Sequence, residues 1–144
     1  MTKEDKELLL KDLCSRLTYG VKCEVIKRCI DGEMVYIKNG TDALELTVNN
    51  VKELITNNLY EIKPYLFHLS NMTDEQRYEC FNGTPLEIDK YGDVAVKDDF
   101  FGNSLYTDLE IYLEVIDWLL KNHFDIYGLI EKDLAIDATG KSIY

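Results

Sequence analysis

The sequence predicts an α+β fold: an N-terminal helix, an antiparallel β-meander packed on a buried C-terminal helix, and several short helices between them. Three observations carry this expectation. Leu9, Leu10, Leu13 and Leu17 recur at helical spacing among charged residues near the start. Between 21 and 48, β-branched and aromatic runs are separated by Asp31-Gly32-Glu33 and Asn39-Gly40, which are hairpin signals. Between 108 and 122 a dense apolar stripe follows a capping box.

Taken in order, residues 3–17 read as a helix with Thr2 as N-cap, stopped at Tyr19-Gly20. Residues 21–30, 34–38 and 43–48 read as three turn-linked strands, hence a meander. A short helix is expected at 51–57 with Asn50 as its cap, followed by a strand at 59–63 that Pro64 should stop. Thr73-Asp74-Glu75-Gln76 is a capping box opening a helix to about Cys80, and 85–97 reads as a loose hairpin turning at Lys90-Tyr91-Gly92. Thr107-Asp108-Leu109-Glu110 opens the longest stripe, with Tyr106 against Ile111 as a hydrophobic staple. Leu109, Tyr112, Leu113, Ile116, Leu119 and Leu120, widened by Ile111, Val115 and Trp118, predict a helix buried over most of its circumference. A last short helix at 127–134 and a polar tail complete the expectation.

A chain of 144 residues without linker, repeat or low-complexity stretch reads as a single domain spanning 1–144. Its 46% hydrophobic and 30% charged residues place it among globular proteins rather than disordered ones. No apolar run approaches the length of a membrane span, and the charged start (Lys3-Glu4-Asp5-Lys6-Glu7) does not read as a signal peptide. A cytoplasmic protein with free thiols at Cys14, Cys23, Cys29 and Cys80 is the expectation, since their spacings match no zinc pattern. The Asn-Gly-Thr sequons at 39–41 and 82–84 then read as turn chemistry.

The net charge of −11 is unevenly placed. Residues 1–72 hold 10 Lys/Arg against 11 Asp/Glu, whereas residues 73–144 hold 6 against 16. Such an acidic half disfavours phosphate-backbone binding and anionic membranes, and suits a basic partner or nucleic-acid mimicry. The first half could supply a local basic pocket, from Lys22, Lys27, Arg28 and Lys63.

No catalytic or metal signature stands out. Residues 135–142 end like a P-loop (Ala135 through Gly140-Lys141-Ser142) but lack the first glycine. His68 and His123 have no second metal-ligand residue at helical spacing. His123 precedes Asp125 by two positions, a pairing that could serve as base and orienter, and it also reads as a helix C-terminal histidine favoured by the macrodipole. Acidic pairs (Asp98-Asp99, Glu87 with Asp89, Glu110 with Glu114 and Asp117) leave open a small metal-dependent hydrolase or nuclease. Ten tyrosines suit an interface.

Two stretches, 63–76 (Lys63-Pro64-Tyr65-Leu66 through Asn71-Met72-Thr73-Asp74-Glu75-Gln76) and 116–132 (Ile116-Asp117-Trp118-Leu119-Leu120-Lys121-Asn122-His123-Phe124-Asp125 through Gly128-Leu129-Ile130-Glu131-Lys132), are distinctive. They resemble small proteins carried by phages, prophages and mobile elements of gut bacteria. This chain has Phe67-His68 and Ile126-Tyr127 where that group is expected to carry Arg-Pro and Tyr-Arg, so two arginines are missing. The resemblance implies no activity and no cofactor. It implies a non-catalytic accessory protein that binds and sequesters or inhibits a host component, in the manner of counter-defence. The partner would be a host protein or a small nucleotide signal, with homodimer formation allowed for. Lys63, Tyr65, His68, Arg77, His123, Asp125 and Tyr127 are the candidate contact residues. The acidic half carries the helix at 108–122 and the whole of the second stretch, so its surface is the first place to seek a partner.

Overall fold

The structure, a computed structural model, describes residues 1–28, 31, 34–36, 43–80, 86–88, 94–96 and 109–144. Its architecture is α+β. The elements are α1 (Lys3–Arg16), β1 (Lys22–Arg28), β2 (Met34–Tyr36), β3 (Leu44–Glu45), α2 (Val48–Thr56) and β4 (Tyr60–Leu66). A 3₁₀ turn (Leu69–Asn71), α3 (Asp74–Cys80), β5 (Leu86–Ile88), β6 (Val94–Val96), α4 (Leu109–Lys121) and β7 (Ile136–Asp137) follow.

Helix α1 begins as the sequence predicts, because the Thr2 hydroxyl accepts from the Asp5 N–H at 3.0 Å and satisfies one orphan donor of the first turn. Helix α2 starts earlier than expected. Thr47, not Asn50, is the N-cap: Thr47 Oγ1 accepts from the Asn50 N–H at 3.2 Å, and Asn50 Oδ1 accepts from the Thr47 N–H at 2.9 Å. This reciprocal box takes Thr47 and Val48 out of the third strand, which shrinks to Leu44–Glu45. The box at Thr73 and Gln76 forms as predicted, with both bonds present.

The strand order also departs from a meander. β2 and β3 both pair antiparallel with β1, at Ile26–Arg28 and Lys22–Cys23 respectively, so the third strand returns to the first rather than to the second. β4 occupies the other edge of β1, antiparallel, from Cys23↔Pro64 to Lys27↔Tyr60. β7, placed by sequence in the polar tail, pairs parallel with β4 at Tyr65↔Ile136 and Leu66↔Asp137. The result is a mixed sheet in the order β2-β1-β4-β7 with β3 beside β1.

Pro64 does not stop β4. The Ala138 N–H donates to the Leu66 carbonyl at 2.8 Å, so Leu66 directs its polar groups toward β7, and alternation turns Pro64 the same way. Pro64 therefore lies level with the chain just before β7 begins, where its missing N–H removes no ladder bond. The hairpin of β5 and β6 has the register Leu86↔Val96 to Ile88↔Val94, consistent with the expected hairpin; its turn residues, like those at Gly32, Asn39-Gly40 and Asn82-Gly83, lie outside the described residues. So do Tyr106, Thr107 and Asp108, the staple and cap expected ahead of α4.

One face of β1 and β4 buries Cys23, Val25, Tyr60, Ile62 and Leu66 with Leu9 and Leu13 of α1, Val51 and Leu54 of α2, and Leu129, Leu134 and Ala135. Full burial of each large aliphatic side chain here contributes about 1.5–3 kcal/mol. The sheet is thus covered by α1 and α2, not by the C-terminal helix. Val115 and Leu119 of α4 instead form a second cluster with Met72, Cys80 and Phe124. Leu113 of α4 is 56% exposed, so the helix is less enclosed than its composition predicts.

The helix expected at 127–134 does not form. Asp125 accepts from the N–H groups of Tyr127 (3.2 Å), Leu129 (3.0 Å) and Ile130 (2.9 Å), which offers this backbone an alternative to helical bonding. Gly128 at φ +68° and Asp133 at φ +57° turn the chain back, delivering it to β7.

Candidate functional site

Behind the junction of the two clusters lies a charged pair that the sequence analysis passed over. Asp12 and Arg16 of α1 are both fully buried. Arg16 Nε donates to Asp12 Oδ2 at 2.8 Å and Nη2 to Oδ1 at 2.7 Å, a bidentate pair. The same guanidinium donates to the Leu120 carbonyl at 3.3 Å and the Phe124 carbonyl at 2.7 Å, so it caps the end of α4. Burial pushes the Asp12 carboxyl up and the adjoining guanidinium opposes that shift. A signal was present: Leu9, Asp12, Leu13 and Arg16 share one helical face, i, i+3, i+4, i+7.

Arg16 fixes the chain that carries His123. Beyond α4 the backbone reverses with His123 at φ +64°, and Phe67 N–H donates to the His123 carbonyl at 2.9 Å while Asp125 N–H donates to the Phe67 carbonyl at 2.8 Å. An aromatic group gathers at this end of β4. Trp118 stacks on Phe124 with centroids 5.9 Å apart, Phe124 meets Phe67 at 6.0 Å, and Phe67 meets Tyr144 at 5.9 Å. The His123 ring lies on Tyr144, 4.0 Å between centroids and 13° from parallel.

The sequence-predicted contact residues divide between these places. His123 is not a charged helix-end histidine: burial, with Arg16 nearby, lowers its pKa to about 4, and its Nδ1 is buried without a hydrogen-bond partner. Asp125 does not orient it, because the three backbone N–H groups named above take its carboxylate. Tyr65 gives its carbonyl to the Tyr144 hydroxyl at 2.7 Å, which brings it beside His123. The others lie apart. Lys63 pairs with Asp133 at 2.7 Å, His68 Nε2 stands 4.0 Å from Asp137, and Tyr127 receives the Lys11 ammonium 4.9 Å from its ring centroid. Arg77 is half-buried on α3 with its Nε unpartnered. Of the expected basic pocket, Lys22 pairs with Glu45 at 3.4 Å and Lys63 with Asp133, so two of its four cations are neutralised.

The thiols of Cys23 and Cys80 are buried and pushed up to about 12, whereas Cys14 is exposed; Cys29 lies outside the described residues. Among the described residues, no group of three or more His, Cys, Asp or Glu is placed to hold a metal ion, and no helix is long and apolar enough to cross a membrane. No family model, curated protein or solved structure matches the chain.

Among the described residues, a feature with binding chemistry is the outer surface of α3 and α4, two helices that pack through Cys80, Val115 and Leu119. Glu75, Tyr78 and Glu79 share the exposed face of α3 at i, i+3, i+4, and Tyr78 is 73% exposed. Leu113, Glu114 and Asp117 are exposed on α4, opposite its buried face. Asp117 accepts a hydrogen bond from the Tyr19 hydroxyl, whose pKa is raised chiefly by that bond.

Proposed function

We propose that this chain is a non-catalytic binding protein of the phage or mobile-element accessory kind, sequestering or inhibiting a host component through the outer faces of α3 and α4. One observation carries the reading: Tyr78 stands exposed on α3 with Glu75 and Glu79, and Leu113 on α4 with Glu114 and Asp117, while the groups with the most chemistry, Asp12, Arg16 and Asp125, are spent on the fold. Exposed tyrosine supplies contact area at small entropic cost, and the surrounding carboxylates select a basic surface. A protein partner suits this face better than a nucleotide, since clustered carboxylates repel phosphate and Lys22 and Lys63 already have acidic partners.

Immobilised protein exposed to host lysate tests the reading. Wild type should retain a basic protein that moderate salt releases, and the variant Glu75→Lys/Tyr78→Ala/Glu79→Lys should lose it. Equal retention by both proteins, or retention of nothing, refutes the proposal.

A further inference from the structure

The ladder between β1 and β4 ends at Cys23↔Pro64, and the next pair in register would be Lys22 with Tyr65. Alternation directs the polar groups of Tyr65 toward β1, because those of Leu66 face β7. That pair should therefore be joined by a direct N–H···O=C bond. A side chain stands between them instead. The Lys22 N–H donates to the Tyr144 hydroxyl at 3.0 Å, and this hydroxyl donates to the Tyr65 carbonyl at 2.7 Å.

We propose that the notch where β1 and β4 part is a binding site for a phenol, occupied in this structure by the chain's own Tyr144 and open to a tyrosine side chain presented by another polypeptide. The chemistry is selective. A backbone donor and a backbone acceptor face each other across a gap that one hydroxyl fills, and only a group that both accepts and donates satisfies both. A phenylalanine ring would leave the Lys22 N–H and the Tyr65 carbonyl without their bridge. The ring is selected too, between the face of His123 and the tilted ring of Phe67.

The walls belong to β1, β4 and the chain after α4, none of which carries the occupant. Phe67 and His123 are joined by their own backbone bond, and the backbone past His123 is held by Arg16 through the Phe124 carbonyl. The occupant arrives on the segment after β7, which turns at Gly140 (φ +72°) and has Lys141 and Ser142 exposed. Tyr144 is itself 48% exposed although its hydroxyl bridges the two strands. Beside the ring, His123 Nδ1 retains unspent hydrogen-bonding capacity. The segment is held short of the occupant, by the Lys141 N–H on the Ala138 carbonyl at 3.0 Å, so a phenol from outside competes with Tyr144 itself for the same two backbone groups. It uses none of the α3–α4 residues and stands or falls separately from that surface.

The test is p-cresol, the side chain of tyrosine as a free molecule, titrated into Tyr144→Ala and followed by the amide resonances of Lys22 and Phe67. A dissociation constant of about 1 mM or below is expected, with toluene at least about tenfold weaker and wild type binding p-cresol at least about tenfold more weakly than the variant, because Tyr144 competes for the site. Equal binding of toluene and p-cresol, response confined to other residues, equal binding by wild type, or no binding to folded Tyr144→Ala each overturns the proposal. Should that variant fail to fold, Tyr144→Phe carries the test. Its Lys22 amide should exchange with solvent at least about tenfold faster than in wild type, while the Val25 amide is unchanged. An unaltered Lys22 rate overturns the proposal as well.

Discussion

Replacing Arg16 by methionine keeps most of the side-chain volume and removes the charge. The structure defines what is lost: two charge-assisted bonds to Asp12 and the two bonds that close the Leu120 and Phe124 carbonyls. Asp12 is then buried without a counter-ion. Breaking a buried pair on one side costs about 3–5 kcal/mol. At about 2–4 °C per kcal/mol for a chain of this size, the melting temperature should fall by roughly 6–20 °C. The double variant Asp12→Leu/Arg16→Met separates the two contributions. It removes the stranded carboxylate but takes the guanidinium from the Phe124 carbonyl, at about 1–3 kcal/mol, while the Leu120 carbonyl keeps the His123 N–H at 3.1 Å. The double variant should therefore be more stable than Arg16→Met, yet below wild type. Urea unfolding followed by circular dichroism measures all three proteins, and an unchanged m-value licenses the comparison. A loss under about 1 kcal/mol for Arg16→Met, or a double variant less stable than the single one, refutes the reasoning.

Three further outcomes follow from the same geometry. His123 has a lowered folded-state pKa, so the unfolded chain takes up its proton first; stability is intact above about pH 6.5 and falls as pH drops toward 4. After discounting for the partly exposed ring, the loss should be on the order of 1–2 kcal/mol, and His123→Asn, which tolerates the positive φ, should abolish it in pH-dependent urea titrations. Asp125→Asn presents an amide nitrogen to backbone donors and should cost about 2–4 kcal/mol, read by the same unfolding assay. Alkylation of the native protein with iodoacetamide, mapped by mass spectrometry, should label Cys14 and leave Cys23 and Cys80 unmodified until the chain unfolds.

What was legible in the sequence is what near neighbours decide. The start of α1 at Thr2 and the box at Thr73 and Gln76 each need a hydroxyl three residues from the N–H it receives, and no distant partner can improve on that. The start of α2 is decided at the same local range: Thr47 and Asn50 form the box, with Thr47 and not Asn50 as the cap. The local habit of Pro64 is to end a strand, whereas its place in a ladder depends on which side of β4 has a neighbour. The acid of the second half was visible as a charge imbalance, but composition says nothing of which acids are exposed on the helices that carry Tyr78 and Leu113.

The sequence by itself determined the α+β class, the starts of α1 and α3 and the placement of acid in the second half, because propensity, capping and charge act over a few residues. Only the tertiary structure decided the roles of Arg16, Asp125, His123 and Tyr144. Arg16 reaches carbonyls 104 and 108 residues away, and the Tyr144 hydroxyl joins Lys22 and Tyr65, 122 and 79 residues away. Buried polar groups must find partners wherever the packed chain brings them. That requirement turned a helix-face ion pair into the cap of α4, a candidate base into a neutral ring against a tyrosine, and a polar tail into a strand and the occupant of a notch.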